Sequence, residues 1–220
     1  MTARRASTQP PRIEPLGLGR LDAGDPALLA PGGDLDSLRF DEVTLPALDL
    51  SRATVRESRF AGLAADEADL RGARLGDVEM TGVDLPVVRA ARSQWQDVAI
   101  SGRMGSVEAY DTHWRSVHFV GCKLSFVNLR AAELLDVAFT DCLIEELDLG
   151  GAEARRVRFG TSRVAHLDVR QAELHDFDLR GAHLESIDGL TSLRGATIDT
   201  DQLTLLAPLL AAGLGLRVEN

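Results

Sequence analysis

Lysine is nearly missing from this chain. Arginine outnumbers it 23 to 1, a bias that fits a GC-rich genome better than any particular chemistry. Basic residues are short overall, 24 against 34 acids for a formal charge of −10, which argues against a general nucleic-acid binder, since that needs cations to displace counterions from phosphates. The acidic surplus leaves two readings, ordinary solubilising charge or a surface that imitates nucleic acid. Cysteine is scarce too: Cys122 and Cys142 form no CxxC pair and have no closely spaced co-ligands, so no zinc or other metal site is expected. Long apolar runs are missing. The longest uncharged one, Leu203 to Leu216, has 14 residues, short of the ~20 that span a bilayer. Arg4 and Arg5 are followed by no apolar segment of the kind an export signal needs. A cytoplasmic location without membrane contact is the expectation. No GxSxG turn, P-loop or GxGxxG occurs, so no enzyme activity, catalytic residue or cofactor is expected.

What the chain does contain is a rhythm of five. From Cys122 to Leu149 every fifth residue is apolar (Leu124, Leu129, Leu134, Phe139, Ile144, Leu149), and a smaller partner stands two places before each (Cys122, Val127, Ala132, Val137, Cys142, Leu147). A helix repeats at 3.6 and a strand at 2, so neither sustains this pattern. A short extended piece followed by a tight turn, repeated, does. The central residues run without a polar exception from Phe40 to Leu184, with one residue lost between Ile100 and Met104. A second slip near Asp188 puts Leu193 and Ile198 in the last, weaker repeats. A period of twenty overlies the first: Phe119, Phe139 and Phe159 recur at it, and so, apart from the slip, do Gly62, Gly82, Gly102, Gly121 and Gly181. Four fives make one circuit of a four-sided coil, with the glycines at a corner that requires positive φ or close backbone approach.

These segments resemble the pentapeptide-repeat proteins, whose motif is A(D/N)LXX. Close copies are ADLRG at 68–72, VNLRA at 127–131, LDLGG at 147–151, LDVRQ at 167–171 and FDLRG at 177–181. The resemblance implies an all-β solenoid, a right-handed quadrilateral β-helix of about eight coils, roughly 40 Å long at a layer spacing of ~4.8 Å. Three segments are expected: a loose arm (1–15) and irregular lead-in through residue 34, the β-helix over 35–199, and a helical tail over 200–220. Asp199 or Thr200 would cap the tail helix, Leu203, Leu206, Ala207 and Leu210 would share one face, and Pro208 should kink or split it. The tail either covers the open end of its own coil or, as the resemblance suggests, joins two copies end to end through Leu203, Leu206 and Leu210.

A narrow packed coil is expected to leave no pocket. Trp95 and Trp114, at central positions, read as core; Cys122 and Cys142, stacked one coil apart, read as core thiols; and His113, His118, His166, His175 and His183 scatter outward. Charge gathers in two outward columns. One reads Asp49, Asp69, Arg89, Glu108, Asn128, Asp148, Asp168, and an Asp or Asn before the central residue can hydrogen-bond nearby backbone and fix the turn. The other reads Glu57, Asp77, Asp97, Ser116, Asp136, Arg156, Asp176. The motif does not call for acids in this second column, so it is the better indication of a negative face. Two functions follow: a rigid scaffold for an unidentified protein partner, with outward apolar residues such as Val87, Tyr110, Phe126 and Leu135 available for contact, or, as the resemblance implies, a B-DNA mimic that binds DNA gyrase and modulates it or protects it from quinolones. Whether residues 101–113 protrude as a loop is open at this stage.

Overall fold

The computed structural model describes residues 7–213 and 215–219. Sixteen strands form one continuous, wholly parallel sheet that winds on itself, and each strand pairs with the one about twenty residues further along. Cα registers such as Phe119↔Phe139↔Phe159 and Leu124↔Ile144↔Val164 carry the twenty-residue period directly. The five-residue period is carried by burial: all the central residues are buried except Leu45 and Leu184, which are partly buried against the core. Stacking like on like follows from the register. Phe139 lies between Phe119 and Phe159 at ring-centroid distances of 5.0 and 5.1 Å, and Trp95 stacks on Trp114 at 4.8 Å. Each pair buries large apolar surface in near-parallel, coil-to-coil contact.

The corners explain the spacing of the glycines. Three of the four edges of the coil turn through left-handed residues, and one of these columns contains Gly62, Gly82, Gly102, Gly121 and Gly181, all at positive φ. Gly102 does more than turn. The lost residue shifts the register between Met80 and Val83, pulling the shortened coil against its neighbour. A Cβ on Gly102 would lie 2.3 Å from the Val83 carbonyl oxygen, whereas one on Gly82 would meet nothing within 4 Å. Gly102→Ala should therefore cost about 2 kcal/mol, from left-handed strain plus overpacking, and Gly82→Ala about 1 kcal/mol, from strain alone. Thermal unfolding of the two variants should rank them in that order; equal losses would dismiss the close approach as a cause. The shortened stretch does not protrude: Gln94–Glu108 is continuous strand, with Met104, Val107 and Ala109 buried.

Both ends are closed by the chain itself. At the first, Asp22–Ala23 adds a short strand beside Leu38–Arg39, Gly24 lies against the Phe40 ring, and Leu29 packs on the core. At the second, regular strands stop at Asp188, earlier than the expected 199. Leu190–Leu193 forms a 3₁₀ turn and a single bridge joins Asp178 to Thr197, because Gly189 enters a left-handed turn where another strand would start. Helix α1 (Thr200–Gly213) follows. Asp199 is its N-cap: Asp199 Oδ1 accepts from the Gln202 amide at 2.8 Å while Gln202 Oε1 accepts from the Asp199 amide at 3.0 Å. Gln202 is buried, and its Nε2 donates to the carbonyls of Leu179 and Ala182, satisfying acceptors at the open end of the last coil.

Two expectations for the tail need correction. Pro208 does not split α1, which continues through it. The leucines expected on one face also divide: Leu206 is buried and Leu210 partly buried against this chain's own core, while Leu203 is 52% exposed and its neighbour Leu205 66%. Capping the coil requires the Leu206 side to face inward, so the tail covers its own end.

Candidate interaction surface

In the first acidic column the carboxylates fix turns. Oδ1 of Asp49, Asp69, Asp148 and Asp168 accepts from the backbone N–H two residues on, at 2.8–3.0 Å, and Asn128 does the same at 3.1 Å. Arginines then neutralise several of them. Arg71 pairs with Asp69, Arg130 with Asp148, Arg170 with Asp168 and, on the opposite face, Arg180 with Asp178. The bonds from Arg71 and Arg170 hold the Asp69 and Asp168 carboxyls below the usual carboxylate range. Sequence reasoning missed these pairs, although three of the four are spelled out by the motif copies as Asp-X-Arg in ADLRG, LDVRQ and FDLRG; the fourth, Arg130 with Asp148, reaches from one coil to the next. Arg89, the base in this column, pairs with Glu67, and Glu108 lies exposed at the end of its strand.

The second column has a backbone cause that its spacing concealed. Glu57, Asp77, Asp97, Ser116, Asp136, Arg156 and Asp176 all adopt positive φ, between 43 and 60°. They form a left-handed corner, and aspartate tolerates that conformation better than most side chains because its short polar group can bond locally. The column also divides in two. Glu57 and Asp77 are exposed and Asp97 half-buried, with no basic side chain paired to any of them among the described residues. Below them Asp136 and Arg156 are only 5% and 8% exposed and form a two-pronged ion pair, Nε to Oδ1 at 2.5 Å and Nη2 to Oδ2 at 2.6 Å. Burial tends to raise the Asp136 pKa, but the Arg156 bonds and a backbone amide from Arg12 outweigh it and leave the carboxyl below its ordinary value.

That amide belongs to the arm expected to be loose, and here the expectation fails. The described part of the arm follows a fixed course along this corner. Thr8 Oγ1 meets Thr197 Oγ1, the Gln9 amide donates to Asp176 Oδ1 at 3.0 Å, and the Arg12 amide donates to Asp136 Oδ1 at 2.8 Å. The arm thus runs from the α1 end back toward the first coil, where Asp22 begins the first strand.

Beside the same corner lies an open trough of about 920 Å³, where a packed coil was expected to leave no pocket. It is long and shallow, since it forms between the two outward rows that flank a line of central residues. One wall carries Glu133, Glu153 and Glu173, the other Arg115, Arg155 and His175, with Gly76 leaving a gap higher up. His113 joins the acidic wall through Glu133 at 3.3 Å. His118, half-buried on the next face, bonds Thr140 at 2.9 Å, and burial lowers its pKa. Of the outward apolar residues, Leu135 lines the trough, while Val87 and Phe126 share a different edge and Tyr110 stands apart from both. Cys122 and Cys142 are free, buried thiols that donate to the carbonyls of Ile100 and Phe119 one coil earlier. Among the described residues, no group of three or more His, Cys, Asp or Glu side chains could hold a metal, and no helix is long and apolar enough to cross a membrane.

The model of the family described as pentapeptide repeats matches residues 49–85 in eight copies. Residues 49–85 are pentapeptide repeats. No curated protein matches the chain. Among solved structures this chain is similar to HetL, a pentapeptide-repeat protein involved in heterocyst differentiation regulation in the cyanobacterium Nostoc sp. strain PCC 7120. They share 17% identity over 75% of this chain and 89% of that one, at a TM-score of 0.26. It is also similar to QnrB1, a plasmid-mediated fluoroquinolone resistance protein, at 18% identity over 86% and 91% and a TM-score of 0.34.

Proposed function

We propose that this pentapeptide-repeat protein is a non-enzymatic scaffold that presents a rigid face to a protein partner. The observation that carries the reading is the trough: over its lower coils Glu133, Glu153 and Glu173 stand opposite Arg115, Arg155 and His175 at fixed coil spacing, on a rod whose core is complete without them. In a solenoid the outward residues are free to serve recognition because stability comes from the inward ones and from neighbouring coils. A photo-crosslinking residue placed at Gln96, inside the trough, should capture a defined protein from extract. Arg115→Glu with Arg155→Glu should abolish that product while leaving the β-sheet circular dichroism unchanged. An identical product from the reversed-charge variant would remove the trough from the reading.

The finer reading, a DNA mimic that acts on gyrase, is supported only by the upper part of the corner, where Glu57, Asp77 and Asp97 stack on successive coils without cationic partners. Asp136 is taken out of that set by Arg156. The triple neutralisation Glu57→Gln, Asp77→Asn, Asp97→Asn should then weaken any effect on gyrase supercoiling, as should added salt. A homodimer formed through the α1 end would use Leu203 and Leu205, since Leu206 and Leu210 face their own chain.

A further inference from the structure

The arm and the corner fit each other in pitch. Gln9 and Arg12 flank Pro10 and Pro11, which have no N–H to donate and hold the segment extended. A polyproline-type segment has three residues per turn and rises ~3.1 Å per residue, so the amides of residues 9 and 12 point the same way, ~9.3 Å apart. Their acceptors, Asp176 and Asp136, lie two coils apart, ~9.6 Å at the strand spacing. Arg156, on the coil between, turns its guanidinium to Asp136 and leaves the interval free of a competing acceptor. The left-handed corner sets this up: it lines up one side chain per coil at the edge of the rod, which places the Asp136 and Asp176 carboxylates in one line two coils apart. No side chain of the arm is needed for the match, so any segment with the same backbone and a proline pair would meet the same acceptors.

We propose that the lower half of this corner is a docking rail for an extended, proline-containing peptide segment of a partner protein, and that residues 8–12 are a built-in strap that occupies it. The class of ligand is read from the strap: two backbone donors three residues apart, prolines between them, and a basic residue at the Asp136 end, where Arg12 adds its charge to that of Arg156. The trough beside the rail gives room for the side chains of an incoming segment. The proposal deepens the scaffold reading and names what the face takes, but the strap is tested without any partner. Because the strap is tethered, it competes at an effective concentration in the millimolar range, so a partner segment must displace it.

The full-length chain serves for the test. In hydrogen exchange the Gln9 and Arg12 amides should be slowed at least tenfold relative to a free peptide of residues 7–15, and Asp176→Ala should release Gln9. A full-length variant with Pro10→Gly and Pro11→Gly loses the preset extension of the strap and should open it about tenfold more often. The free 7–15 peptide, titrated to several millimolar, should then bind that variant about tenfold more tightly than the unaltered chain. Unprotected amides would overturn the strap. Equal affinity for both chains, or no binding to either, would overturn the rail. Either result leaves the trough crosslinking experiment standing, so failure here is distinguishable from failure of the scaffold reading.

Discussion

Phe139→Ala should lower the unfolding free energy by about 4 kcal/mol, the cost of a large ring removed from a core that cannot collapse around the gap. The ring is 1% exposed and contacts a parallel ring on each side, so the cavity would be walled by Phe119 and Phe159. Backbone hydrogen bonds hold the coils at their spacing above and below, which prevents the neighbours from closing in. Urea unfolding followed by circular dichroism would read the loss. In a rod where each coil touches only its neighbours, a weak layer in the middle should also broaden the transition or split it. A loss under about 1.5 kcal/mol, comparable with a volume-conserving swap, would mean that the file of rings does not bear on stability.

Arg156→Ala should cost about 3 kcal/mol, because it strands the Asp136 carboxylate under the strap without its counter-charge. Alanine at a left-handed position brings its own strain, so Arg156→Gly provides the control: glycine accepts that backbone freely, and most of the loss should remain. The effect should depend on pH in a definite direction. Asp136 has a folded pKa below its ordinary value of 3.8, so its contribution is complete above 3.8 and disappears as pH falls through the lowered folded value. The stability gap between the parent and Arg156→Ala should therefore be full at pH 7 and narrow below pH 3.8. A gap that is the same at pH 7 and pH 2.5 would assign the loss to packing instead of charge.

The inside of this molecule was legible in the sequence and much of the outside was not, for a physical reason. Burial acts on every fifth residue alike, so Phe119, Phe139 and Phe159 announce a common file from spacing alone, and the glycines at 62, 82, 102, 121 and 181 announce a corner. The surface has no such uniform rule. Column membership placed Asp136 and Arg156 correctly on one edge, yet it could not tell an exposed acid from one paired beneath a distant segment. The arm was misjudged because two of its three contacts are backbone amides reaching across more than a hundred residues, and side-chain patterns do not record such bonds. A paired proline bracketed by ordinary residues was the only available sign. The Asp-X-Arg pairs were in plain view in the repeats, but only the aspartate was read, for its turn. The tail was half right: Asp199 begins α1 as its sequence suggests, but which leucines face inward depends on the angle at which the helix meets the last coil.

Gln202 gives this chain a property that its repeats alone would lack. A parallel sheet that ends on a bare layer is a template, and another strand of any origin can add to it in the manner of a growing fibril. By spending its amide on the Leu179 and Ala182 oxygens, one glutamine turns that growing tip into a dead end. A longer descendant of this protein would have to gain its extra turns upstream of that stopper, by internal duplication, and could not be lengthened by appending sequence after it.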